Sequence, residues 1–183
     1  MKQLIKNFIV RQYLRRPNLT CHGLPEFNGR PWPKFQADGP LVLGPRCGFR
    51  AARFRTHILV LKGGSLEIGK ECFFNDGVLI SASSRITIGD YSGLSDRVTL
   101  MDTHFHPVDY GEKTVMEPIT IGRNVWIGHG VMVLPGAVIG DHSVIGAQSV
   151  VSGVIPPRVV AIGFPARPVR TLKCPDDWIR ARD

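Results

Sequence analysis

From residue 119 the chain reads ITIGRN VWIGHG VMVLPG AVIGDH SVIGAQ SVVSGV, an apolar register with a period of six. Ile121, Ile127, Val133, Ile139, Ile145 and Val151 form an aliphatic series. Four residues after each of the first five come Val125, Val131, Ala137, Ser143 and Ser149, all small or β-branched. A second copy runs upstream through Ile68, Phe74, Ile80 and then Ile88, Leu94, Leu100, with two extra residues between the triplets. A helix of 3.6 residues per turn cannot hold a six-residue register on one face, whereas in a strand positions i−2 and i share a side. The pattern therefore predicts short strands with a corner every six residues. Glycine after the aliphatic at 122, 128, 140 and 146 suits such corners. Three hexads close one coil of a parallel β-helix, each strand bonding to the coils above and below.

Residues 119–152 then supply about two coils and 66–101 about two more. Leu41 to Leu61, with Arg46, Arg50, Arg53 and Arg55, fits the hexad poorly and is expected to form an irregular first coil. Asn18 to Pro40, with Pro25, Pro31, Pro33 and Pro40, reads as an extended connection. Leu4, Ile5, Phe8, Ile9 and Tyr13 recur at helical spacing among basic residues and predict a short amphipathic helix. The expected organisation is residues 1–40 as N-terminal helix and connection, 41–155 as β-helix, and 156–183 as a tail, in which Pro175-Asp176-Asp177 is suited to start a short helix carrying Trp178.

None of the apolar runs in the 183 residues approaches the ~20 needed to span a membrane. Lys2, Lys6, Arg11, Arg15 and Arg16 break up the first sixteen residues, which argues against a secretory leader and for a cytoplasmic location. Cys21, Cys47, Cys72 and Cys174 lie far apart with no C-x-x-C pair, so neither a zinc knuckle nor a disulfide framework is indicated. The net charge of +8 is uneven, because residues 1–62 hold twelve Lys/Arg against only Glu26 and Asp38. Such asymmetry points to an anionic partner: nucleic acid, a membrane surface, an acidic glycan or nucleotide phosphates.

Between Leu100 and Ile119 the repeat gives way to MDTHFHPVDYGEKTVMEP, too long for a corner and carrying His104, His106, Asp102, Asp109, Glu112 and Glu117. Excursions from a rigid scaffold are where function concentrates. With the hexads, the loop His106-Pro107-Val108, the segment from Pro118 through Trp126-Ile127-Gly128, and Ile155-Pro156-Pro157 followed by Gly163-Phe164-Pro165-Ala166-Arg167, the chain resembles the hexapeptide-repeat acyltransferases. The branch it resembles most is that of the maltose and galactoside O-acetyltransferases, over roughly residues 60–172.

That resemblance implies an all-β fold, a left-handed parallel β-helix with the loop 102–118 protruding, and acetyl-CoA as acyl donor. It makes His106 the general base that takes the proton from an acceptor hydroxyl, a task suited to an imidazole near neutral pH; the second loop histidine is His104. Asn75 matches an asparagine beside the acceptor, where an amide can orient a hydroxyl or a tetrahedral oxyanion; a corner asparagine in a left-handed turn is the plainer reading. Glu117 is placed to accept the other imidazole N–H, and Asp102 has the same standing, with a solvated loop carboxylate as the alternative for both. Trp126 faces outward and borders the cofactor groove. Arg167 and Arg170 match tail positions that hold coenzyme A phosphates, and Ser152, followed by Gly153, stands where the family has Thr-Lys.

The outward positions Trp126, Met132, Val138, Val144 and Val150 are apolar, with Trp126 stacking over Val144 and Met132 over Val150. They predict a homotrimer with cofactor grooves between subunits. No metal is expected: β-helix carbonic anhydrases pair one histidine with two others five residues apart, a spacing that His104, His106 and His129 lack. His129 and His142 occupy corners and are expected in solvent, and His22 and His57 have no partner signal. No nucleic-acid-binding motif accompanies the basic N-terminus. Its helix either covers the open end of the β-helix or lies peripherally on an anionic bilayer.

The N-terminus resembles the leader of enzymes that modify exopolysaccharide, capsule or lipid-linked glycans. The expected function is O-acetylation of a sugar hydroxyl in a surface-glycan or polysaccharide precursor. A sugar-nucleotide N-acetyltransferase and a non-catalytic β-helix scaffold are the other readings.

Overall fold

The computed structural model describes residues 2–181. Among them the strands form three parallel sheets that wrap one core as the sides of a prism. The first sheet contains Leu19–Cys21, Leu41–Leu43, Ser65–Ile68, Arg85–Ile88, Ile119–Ile121, Val138–Ile139 and Val154–Ile155. The second contains Glu26–Gly29, Gly48–Ala51, Phe73–Phe74, Gly93–Leu94, Trp126–Ile127, Val144–Ile145 and Val159–Gly163, and ends in Ala166–Thr171, which turns back antiparallel. The third contains Lys34–Ala37, His57–Val60, Leu79–Ala82, Thr99–Met101, Met132–Val133 and Val150–Val151. One strand from each sheet in turn makes a coil, so the chain climbs through six coils and part of a seventh.

The aliphatic series fills the interior as columns in register. Leu43, Ile68, Ile88, Ile121, Ile139 and Ile155 line up along the first sheet. Phe35, Ile58, Ile80, Leu100, Val133 and Val151 do so along the third. The second-sheet column begins Phe27, Phe49, Phe74 before continuing Leu94, Ile127, Ile145. All of these are buried. The rings of Phe49 and Phe74 stack 4.8 Å apart.

The solenoid begins one coil earlier than the hexad pattern indicates. Residues 19–37, expected as an extended connection, form the first coil, and 41–60 form a regular second coil. Their inward residues escape a six-residue search because Phe27, Phe35 and Phe49 replace aliphatics and the proline-containing corners are longer. Helix Lys2–Tyr13 covers the open end with Val10, Tyr13 and Leu14, where Tyr13 meets Phe27, Trp32 and Phe35 edge-on. Leu4, Ile5, Phe8 and Ile9 on the same helix stay exposed.

The corner between the first and second sheets is turned in successive coils by Arg46, Glu71, Tyr91, Asn124, His142 and Arg158, all with φ between 53° and 63°. These side chains form a ladder up one edge of the prism. Aspartates brace the corners: Asp90 accepts from Lys70 N at 2.9 Å and Asp141 from Arg123 N at 2.7 Å.

Loop 102–118 leaves the opposite corner, between the third and first sheets. Asp102 is buried at its root and accepts from Ser83 N (2.7 Å) and Ser84 N (2.8 Å). Thr103 pairs antiparallel with Met116, and His104 N donates to Val115 O. The histidine loop therefore stands on a rigid stem.

Candidate active site

Outward-facing residues of the second sheet also stack in register: Gly48, Phe73, Gly93, Trp126, Val144, Val160 and Arg170. Phe73 and Trp126 stand two strand spacings apart, about 10 Å, with Gly93 between them. Nothing lies within 4 Å of where a Gly93 side chain would start. A slot with aromatic walls and a backbone floor results, part of a cleft of about 450 Å³ that Asn75, Tyr91 and Ser95 also line. Trp126 is 45% exposed, and its indole N–H donates to Ser95 Oγ at 3.1 Å. Asn75 is absent from the residues with positive φ, so its amide is not there to ease a left-handed turn.

The C-terminal segment is strapped over one end of this cleft. Pro175–Trp178 makes a turn rather than the expected helix start. Asn124 fastens it: Nδ2 donates to Trp178 O at 3.0 Å, and Oδ1 accepts from Arg180 N at 3.0 Å. Arg158 pairs with Asp176, and Arg123 donates to Asp176 O. Arg180 then lies between Trp178 and Trp126, 4.8 and 5.8 Å from the ring centres, and lines the cleft.

His142, expected in solvent, is buried, because the strap and the corner ladder cover it. Asn124 Nδ2 donates to its Nδ1 at 2.9 Å. Burial first, then Arg123 and Arg158, push the imidazole below its ordinary value. His129 is exposed, as a corner residue in solvent should be.

The structure brings Asn75 and Trp126 together and leaves the other expected site residues elsewhere. His106 and Glu117 lie exposed on the loop, and Ser152 follows the last third-sheet strand at that same corner. No loop residue lines the cleft. The loop root at Asp102 binds Ser83, whereas Asn75 sits before strand Leu79–Ala82, so the two lie at opposite ends of a strand about 13 Å long. Glu117 contributes its backbone, donating to Asp102 O and accepting from Gly136 N. Asp102 uses its carboxylate on backbone amides. Arg167 and Arg170 are exposed on the last strand, Arg170 three strand spacings from Trp126, about 14 Å. Among the described residues no group of three or more His, Cys, Asp or Glu side chains is placed to hold a metal.

Arg180, Asn124 and His142 were not legible as site residues. The links from Asn124 to Trp178 and Arg180 span 54 and 56 positions with no spacing to announce them, whereas Asn124 and His142 stand 18 apart, the period that also stacks Trp126 over Val144.

A coiled parallel prism with six-residue steps is the β-solenoid of hexapeptide-repeat proteins, and residues 118–153 match the family model described as bacterial transferase hexapeptide (six repeats). The chain is similar to the galactoside O-acetyltransferase of Escherichia coli K12 and spans less than two thirds of that enzyme's length. The two are 43% identical over 125 residues, which is 66% of this chain and 61% of that enzyme. A hexapeptide-repeat acetyltransferase of Vibrio cholerae superimposes with a TM-score of 0.56 at 35% identity, covering 60% of this chain and 64% of that one. The same Vibrio protein complexed with acetyl coenzyme A gives 0.59 at 25% identity, covering 93% and 79%. An N-acyltransferase from Bacillus cereus shares the fold over 90% of both chains, with a TM-score of 0.66 at 15% identity.

Proposed function

We propose that the protein is an acetyl-CoA-dependent O-acetyltransferase acting on a sugar hydroxyl, and that it works as a homotrimer. The observation that carries this reading is the division of the chemistry between two corners. Asn75, Trp126 and Arg170 belong to the second-sheet face, while His106, Glu117 and Ser152 belong to the third–first corner. In one chain these two sets stand at different corners, and no loop residue reaches the cleft. A three-fold ring sets the loop corner of one subunit against the cleft of the next. The exposed outward residues Trp126, Met132 (37%) and Val138 (38%) give that ring an apolar surface to bury.

In the assembled site His106 takes the proton from the acceptor hydroxyl as its oxygen attacks the thioester carbonyl. The Asn75 amide faces the tetrahedral oxyanion. Collapse expels the coenzyme A thiolate, which receives the proton back from His106. Glu117 orients the imidazole from its second N–H. Arg167, Arg170 and Ser152 hold the donor's phosphate end, and Trp126 borders its arm. Cytoplasmic acetylation of a surface-glycan precursor fits this chemistry, and the exposed Leu4, Ile5, Phe8 and Ile9 offer a peripheral foothold on a membrane.

Thiol release from acetyl-CoA over a panel of neutral, amino and phosphorylated sugars tests the reading. His106→Ala should lower kcat by about 10²–10⁴-fold with the KM for acetyl-CoA unchanged. Full activity in that variant removes His106 from the chemistry, and no thiol release with any acceptor removes the enzyme.

A further inference from the structure

The N-terminal arginine cluster is split by the fold. Arg46 turns the first corner and pairs with Glu71. Arg50, Arg53 and Arg55 go to the corner between the second and third sheets. There Arg50 and Arg53 meet Arg97 and His129 around an open cleft of about 430 Å³. All four of these side chains are exposed, and none of the three arginines has a carboxylate partner within ion-pair distance among the described residues. Arg97 is held over the Phe54 ring, 4.4 Å from its centre, which fixes its guanidinium facing the cleft without neutralising it.

Two aspartates share the cleft, and both are already engaged. Asp76 accepts from Ala52 N (3.0 Å), Arg53 N (2.9 Å) and Phe54 N (3.0 Å). Asp96 accepts from Asp76 N at 3.1 Å. Partial burial would raise the Asp76 carboxyl, but the amides of Ala52, Phe54 and Arg53, together with the nearby Arg53 charge, outweigh it and hold it below its ordinary value. Asp76 thus folds loop 52–54 and Asp96 braces the Asp76 backbone, and neither forms an ion pair with Arg50, Arg53 or Arg97 among the described residues.

This basic cleft adjoins the candidate active site. Asn75 lines both. Arg50 follows Phe49, the register partner of Phe74, so it lies one strand spacing from Asn75, about 5 Å. Arg167 and Arg170, assigned above to the donor, lie at the other end of the same sheet. Cations therefore flank the reaction point on both sides along the prism axis. One set suffices for the phosphates of coenzyme A, and the second has no ligand in the proposed chemistry.

We infer that Arg50, Arg53 and Arg97 bind a phosphate group carried by the acceptor, so that the substrate is a phosphorylated saccharide, with its sugar ring beside Asn75 and Phe73. The inference rests on the proposed reading of Asn75 as the residue at the reaction point, with the donor arm along Trp126 and the acceptor on the opposite side. Guanidinium forks match phosphate oxygens through paired, charge-assisted hydrogen bonds, which a neutral sugar cannot supply. Two of the twelve N-terminal cations, Arg50 and Arg53, then have a specific task beside the reaction point.

Calorimetric titration of the intact protein with glucose, glucose 1-phosphate, UDP-glucose and coenzyme A, without any turnover, tests it. At least one of the two phosphorylated sugars should bind about tenfold or more tighter than glucose. Arg50→Gln with Arg97→Gln should weaken that ligand about tenfold while leaving coenzyme A affinity and Tm unchanged, both positions being exposed. Glucose 1-phosphate and UDP-glucose separate a sugar phosphate from a nucleotide sugar as the source. Binding of both no tighter than glucose overturns the inference, as does tight binding that the double variant retains. A variant that loses coenzyme A instead assigns the cleft to the donor and overturns it equally. Arginine-dependent sugar-phosphate binding in a protein that transfers no acetyl group would sink the enzymatic reading and leave this site standing.

Discussion

Asp102 opens a polar loop yet is fully buried, and both its oxygens are committed to backbone amides of the preceding coil. Asp102→Ala strands those two N–H groups. An unpaired buried amide costs about 1–3 kcal/mol; with Ser83 buried and Ser84 partly wet, a loss of about 3 kcal/mol is expected. For a chain of this size Tm falls by about 2–4 °C per kcal/mol, so the variant should melt about 6–12 °C lower. Scanning calorimetry at one fixed protein concentration is the measurement, since assembly and stability are coupled. Asp102→Asn keeps one acceptor oxygen but turns an NH₂ toward the second amide, so it should recover no more than half of the loss. If Asp102→Ala melts within about 1 °C of the parent, the carboxylate is not the anchor of the loop. It would then be free to act on a loop imidazole, and the division of roles between Asp102 and Glu117 would have to be reversed.

Arg167→Glu with Arg170→Glu should raise KM for acetyl-CoA more than KM for the acceptor; equal effects on both substrates would remove these residues from the donor site. Light scattering should give a mass of about three times 20.2 kDa, and a stable, fully active monomer would refute the shared site. The folded chain holds His142 below the ordinary imidazole value of 6.5, so the unfolded chain takes up its proton first as pH falls. Stability from this group is present above pH 6.5 and lost below it. Tm should drop as pH falls through and below about 6.5, with His57, depressed by burial, Lys34 and Arg55, adding in the same direction. His142→Gln should flatten that slope, and an unchanged slope would show that His142 is not its source.

The amino-acid sequence by itself determined the solenoid from residue 66 onward. A period of six with inward aliphatics is a local, repeated statement, and each coil reads much like the next. The same regularity placed Trp126 outward over Val144 and set the histidine loop apart as the interruption. It could not show the first coil, because Phe27 and Phe35 head the second- and third-sheet columns at irregular spacing, and only the pairing with Phe49 and Ile58 reveals it. Nor could it show which site residues meet. His106, Asn75 and Trp126 all sit near hexads, but the corner each occupies depends on counting strands around a prism, and that count puts His106 on a different edge from the other two. The strap of Trp178 and Arg180 on Asn124 and the gathering of Arg50, Arg53 and Arg97 beside Asn75 join positions far apart in the chain. Such contacts follow from the stacking of coils about 4.8 Å apart, which only the tertiary structure decides.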